Sequence, residues 1–172
     1  MGKDKRFEGL DNGGEAVIYY AIGLIVLILD QLSKWMIVKT MVVGESIELV
    51  PGVLYITSSR NTGAAWSMLE GQLWFFYLVT VVVLAVVIYY MQKVGRRQPF
   101  VGVALGLVVG GTLGNFVDRL FRGEVVDFIH VYLGSYSYPV FNLADSSLVI
   151  GALLIVIYTL FDSKKEKRHD SR

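Results

Sequence analysis

Cysteine is absent from this 172-residue chain, which excludes disulfides and any thiolate chemistry. Histidine occurs only at His130 and His169, too sparse for a histidine-based metal site, and neither a metal nor another cofactor is expected. Charged residues make up just 18% of the sequence and nearly cancel, to a formal net charge of +1, so nothing in the overall electrostatics points to nucleic acid. Hydrolytic signatures are missing too: there is no HExxH of a zinc protease and no GxSxG nucleophile elbow. The glycine-rich run at 110–115 (GGTLGN) has no βαβ unit around it and is a poor dinucleotide fingerprint. No repeat, low-complexity tract or linker divides the chain, which is read as one domain.

What is present is apolar. Hydrophobic residues reach 54%, and they fall into long runs rather than short alternations. Four runs are long enough to cross a bilayer, at about 16–38, 73–92, 100–117 and 140–161. The second carries no charge and has Trp74, Tyr77, Tyr89 and Tyr90 towards its ends as interfacial anchors. The third has glycine at every fourth position, Gly102, Gly106, Gly110 and Gly114, a stripe that lets helices pack backbone to backbone. Residues 39–72 have a different texture, rich in Val, Ile, Tyr and Thr around a Pro51-Gly52 turn signal, and read as a small β-sheet outside the bilayer. Residues 1–15 are too polar to bury a core and are expected to form a mobile tail, with no signal-peptide cleavage pattern. A basic tail at 163–172 closes the chain. The expected fold is therefore an integral membrane protein, mainly α. Four transmembrane helices form a single domain at 16–162, with an extracytoplasmic β-sheet between helices 1 and 2 and a short loop or helix between helices 3 and 4.

Lys and Arg accumulate on the cytoplasmic side of membrane proteins. Lys3, Lys5 and Arg6, then Lys93, Arg96 and Arg97, then the basic tail all fall on one side of a four-span topology. Both termini are therefore expected in the cytoplasm. The polar motifs then converge on the outer face: Asp30, Lys34, Asn61, Asn115, Asp118, Arg119, Asp127, Asn142 and Asp145. Ionisable groups at the mouth of a span are costly and usually functional.

Each motif also has a plainer reading. Asp30 and Lys34 are four residues apart on one helix face, and a local ion pair with Lys34 snorkelling to the interface is favoured over a direct catalytic role. Asn142 with Asp145 three residues on has the spacing of a helix cap. That cap leaves Asp127, an acid set in the apolar run Val125 to Ile129, without an account. If Asp127 and Asp145 adjoin, like charge raises one pKa, so one carboxyl keeps its proton while the other stays ionised, the state that activates water. Asn115, Asp118 and Arg119 suit a supporting role, with Arg119 able to hold a carboxylate or a lipid phosphate bidentately. An ion or proton transporter would place acids at mid-span, yet spans two, three and four are uncharged through their centres. A purely structural scaffold leaves the clustered acids unexplained.

The segments Asp30-Gln31-Leu32-Ser33-Lys34, Asn61-Thr62-Gly63-Ala64-Ala65, Gly114-Asn115-Phe116-Val117-Asp118-Arg119, Val125-Val126-Asp127-Phe128 and Phe141-Asn142-Leu143-Ala144-Asp145 occur in this order. In them the chain closely resembles bacterial lipoprotein signal peptidases, the type II signal peptidases. The resemblance implies an aspartic protease of the cell membrane that cuts diacylated prolipoproteins before the lipid-modified cysteine and is inhibited by globomycin. It implies Asp127 and Asp145 as the catalytic pair, with Asp30, Lys34, Asn61, Gly63, Asn115, Asp118, Arg119 and Asn142 in support. It also implies a mobile element at 128–138. The expected partners are prolipoprotein substrates and membrane lipid, and the protein is expected to be a monomer.

Overall fold

The computed structural model describes residues 12–63, 68–95 and 98–170. The start of the polar tail, Ala64 and Ala65 of the second motif with Trp66 and Ser67 after them, and Arg96 and Arg97 lie outside the described residues, as do the side chains of Lys164, Lys165, Lys167 and Arg168. Among the described residues four helices are long and apolar enough to span a membrane: α1 (Asn12–Thr40), α2 (Leu73–Tyr90, continued by a π-helical turn Met91–Gly95), α3 (Pro99–Arg122) and α4 (Leu143–Asp170). The sheet consists of β1 (Ser46–Val50), β2 (Leu54–Asn61), β3 (Val125–Leu133) and β4 (Tyr136–Ser137), all antiparallel in the order β1-β2-β3-β4.

Helix α3 is the centre of the bundle. Over half of its span (56%) is buried inside the protein, against 17% for α1 and 11% each for α2 and α4, whose outer faces are left for lipid. Glycine makes this possible. A Cβ at Gly102 would collide with the ring of Tyr19, one at Gly106 would lie 2.6 Å from the Tyr19 carbonyl, and one at Gly110 would lie 2.6 Å from the Gly23 carbonyl. The opposite side of α3 meets α4 as closely, with a Cβ at Gly111 falling 2.5 Å from the Ala144 carbonyl. Gly110→Leu should therefore push α1 off α3, because rigid backbone rather than a flexible side chain stands in the way. Overpacking of this kind typically costs about 1–3 kcal/mol or more. The expected result is a lower melting temperature in detergent with a parallel loss of activity. A stable, active leucine variant would place the stripe against lipid.

The segment between α3 and α4 corrects an expectation. It is not a loop or helix but a nine-residue strand, β3, with the short β4 returning beside it. Its alternating Val, Phe, Ile and Tyr suit a strand, and its backbone groups are satisfied by β2, with Asn61 opposite Val125 and Ser59 opposite Asp127. The sheet is thus shared between two distant segments. Helix α3 also continues past the expected end at 117, and only Gly123, in the left-handed conformation at φ 76°, stops it. Asp118, Arg119 and Arg122 consequently lie on helix. At the other end of the bundle, residues 12–15 are helical rather than part of a tail.

Candidate active site

At the sheet end of the bundle polar side chains from α1, α3, α4, β2 and β3 meet. Lys34 is fully buried, with Nζ 2.8 Å from Asp30 Oδ2, 2.9 Å from Asp118 Oδ2 and 3.0 Å from Asn115 Oδ1. The ion pair with Asp30 is there, but the expected snorkelling is not: the ammonium turns inward because three acceptors saturate its three donors. Each carboxylate reaches a further element. Asp30 Oδ1 accepts from the Ala144 backbone N–H at 2.9 Å, satisfying one of the free donors at the start of α4. Asp118 accepts from the Val126 N–H at 3.2 Å and from Arg122 at 3.3 Å. Charged hydrogen bonds therefore tie α1, α3, α4 and β3 together.

Asn142 caps α4. Its Oδ1 accepts from the Asp145 N–H at 2.9 Å, and Asp145 Oδ2 accepts in return from the Asn142 N–H at 3.2 Å, a reciprocal capping box. The cap and the site are the same atoms, because Asn142 Nδ2 also donates to Asp127 Oδ1 at 2.7 Å. Asn61, at the end of β2, donates to the other Asp127 oxygen at 3.1 Å. Asn115 donates to Asp145 Oδ1 at 2.7 Å while its own oxygen faces Lys34, so the buried cation orients the amide that holds Asp145. Asp127 and Asp145 line one cavity of about 280 Å³ with Asn61, Asn115 and Arg119. Burial, and secondarily the Asp145 carboxylate, push Asp127 up to about 7, against the opposing bonds from Asn61 and Asn142. Near neutrality one carboxyl of the pair can thus carry a proton.

Residues 22–161 match the signal peptidase (SPase) II family. The chain belongs to that family. Two solved structures of bacterial membrane enzymes, both obtained by the in meso method, are similar over most of their length. One, at 2.3 Å resolution, is 43% identical, with a TM-score of 0.82 over 88% of this chain and 91% of the other. The second, at 1.9 Å resolution, is 44% identical, with a TM-score of 0.77 over 86% of this chain and 93% of the other. Signal peptidase II is a multi-pass membrane protease that removes lipoprotein signal peptides.

Within this signal peptidase II, every singled-out site residue stands in the cluster or at the cavity. Arg119 differs in what it holds. Its Nη2 donates to the Gly63 carbonyl at 3.0 Å and its guanidinium lies 4.2 Å over the Phe76 ring, and among the described residues it grips no carboxylate bidentately. Two further residues, given no role by the sequence, are partners in the site. Gln31 donates to the Gly114 carbonyl at 3.0 Å and approaches Asp118 Oδ1 at 3.4 Å. Its polarity inside an apolar span was the available signal. Phe76, under Arg119, had no signal among so many other apolar residues.

Proposed function

We propose that this signal peptidase II is an aspartic endopeptidase that cuts diacylglyceryl-modified prolipoproteins immediately before the lipidated cysteine, with Asp127 and Asp145 activating the water. The observation that carries this reading is the pair of carboxylates on β3 and α4, joined through Asn142 and lining one cavity. In the proposed reaction Asp145 takes a proton from water as the water oxygen attacks the scissile carbonyl carbon, and Asp127 gives its proton to the carbonyl oxygen. The resulting gem-diol returns a proton to Asp127 as the C–N bond breaks, and Asp145 passes its proton to the leaving amine. The active site is placed at the extracytoplasmic face with both termini cytoplasmic, on the bias of Lys and Arg. The burial of Lys34 within α1 removes it from the outer loops and sharpens that bias.

Carboxylates at the mouth of the spans reach only a bond held at that depth. Acyl chains on the substrate cysteine, each buried CH₂ contributing roughly 0.8 kcal/mol, would fix the peptide's height. Those contacts lie away from the reacting carbonyl and serve to position it. An unlipidated prolipoprotein should therefore be cleaved at least about tenfold more slowly than its diacylated form in bilayers, a modest demand on such positioning. Equal rates would remove lipid-anchored positioning from the proposal.

A further inference from the structure

A second cavity, of about 400 Å³ and mostly apolar, adjoins the carboxylate cleft. It is walled by Val131, Leu133 and Ile150 and shares Tyr138, Phe141 and Asp145 with the cleft. The rings of Tyr138 and Phe141 stand edge to face, 5.8 Å apart at 90°, and line both cavities, so this aromatic pair forms part of the partition between the carboxylate cleft and the apolar groove. Its two ends are held unequally. Phe141 is pinned by backbone bonds to Phe128 and Ile129, next to Asp127. Tyr138 follows β4, whose ladder has only two residue pairs, Tyr132 with Ser137 and Leu133 with Tyr136. A single further backbone bond joins the Tyr138 N–H to the Val131 carbonyl at 2.9 Å.

His130 supplements that weak end. It lies on the face of β3 opposite to Asp127, and its Nε2 is 2.8 Å from Ser137 Oγ. Its Nδ1 is 3.1 Å from Thr57 Oγ1, which is in turn 2.8 Å from Ser46 Oγ. A row of side-chain hydrogen bonds therefore crosses all four strands, from Ser46 on β1 to Ser137 on β4. Hydroxyls at both ring nitrogens can donate or accept, so either tautomer is bonded. The ring of Tyr132, centred 4.5 Å away, supports the imidazole from the side.

We propose that His130 is a positioning residue for substrate: bonded to Thr57 and Ser137, it holds the short strand that sets the Tyr138–Phe141 partition beside the catalytic carboxylates. It touches no reacting atom. The inference rests on the proteolytic reading of the cleft and assigns a role that this reading does not need.

The two ring nitrogens can be tested separately, because a glutamine amide reaches about where Nε2 sits and an asparagine amide about where Nδ1 sits. With a diacylated prolipoprotein, His130→Asn and Ser137→Ala should each raise KM by about three- to tenfold with kcat retained, the effect of one neutral hydrogen bond. His130→Gln should stay close to wild type. The His130→Asn/Ser137→Ala double variant should be no worse than either single variant. Hydrogen exchange at the Tyr138 amide, read on the protein without substrate, should quicken in His130→Asn and Ser137→Ala but not in His130→Gln. Matching behaviour of the Asn and Gln variants, additive effects, or unchanged exchange would overturn the clamp. Failure of the wild-type enzyme to cut the substrate would overturn the proteolytic reading instead, and the exchange measurement would still decide on the clamp.

Discussion

Asp127→Asn is expected to reduce turnover by about 10²–10⁴-fold, the usual contribution of a positioned proton-transfer group, while the protein remains folded. An amide resembles the protonated acid, offering one acceptor and one donor where Asp127 meets the amides of Asn142 and Asn61. The donor–donor contact this creates is relieved by Asn142 Nδ2, which also lies 3.1 Å from the Asn115 oxygen and 3.4 Å from the Val126 carbonyl. What the amide cannot do is give up and recover a proton. Asp145→Asn should be as damaging, and the double variant little worse than either, because the two carboxyls act as one unit.

The pH dependence provides a second readout of the same residue. Asp127 is raised to about 7 from an ordinary value near 3.8, so folding favours its neutral form. Its contribution to stability is complete below the unfolded value and is lost as pH rises through about 7. Turnover should fall over the same window as the required proton leaves. Asp127→Asn should flatten the stability profile there. A wild-type profile that is level from pH 5 to 8, or near-normal activity in either asparagine variant, would sink the shared-proton mechanism.

Lys34→Met should have the largest effect on stability. Methionine fills a similar volume but leaves Asp30 and Asp118 buried without the cation that lies within 2.9 Å of both. Removing one partner of a buried ion pair costs about 3–5 kcal/mol, because the remaining charge is stranded. For a chain of this size that corresponds to a fall in melting temperature of roughly 10 °C. Arg122 still reaches Asp118, and the Ala144 N–H still reaches Asp30, which limits the damage to partial loss rather than outright unfolding. Activity should drop as well, since Lys34 orients Asn115 and Asn115 holds Asp145. Adding Asp30→Asn and Asp118→Asn should recover much of the stability by removing the stranded charges. Thermal unfolding in detergent checks both steps. An unchanged melting temperature for Lys34→Met would show that the buried network is not what ties the helices together.

Much of this protein follows from local pattern. The four spans are legible because a bilayer demands about 20 apolar residues, a requirement met by any contiguous run whatever its neighbours. The cap at Asn142 and Asp145 and the close-packing glycines of α3 are likewise short-range features, set by spacing along one helix. The gathering of acids and amides at one end of the bundle follows from the number of spans and the positions of the motifs. The tertiary structure decided the rest. Lys34 could as well have snorkelled; it is buried because Asp118 and Asn115, more than 80 residues away, supply acceptors that no helical spacing reveals. The strand at 125–133 has only the two-residue β4 as a local partner; its long partner, β2, comes from before α2. Nor could sequence place Asn142 between Asp127 and Asp145. That contact exists only because β3 pairs with β2 and α4 starts against Asp30, and a hydrogen bond needs atoms within about 3 Å, whatever their separation along the chain.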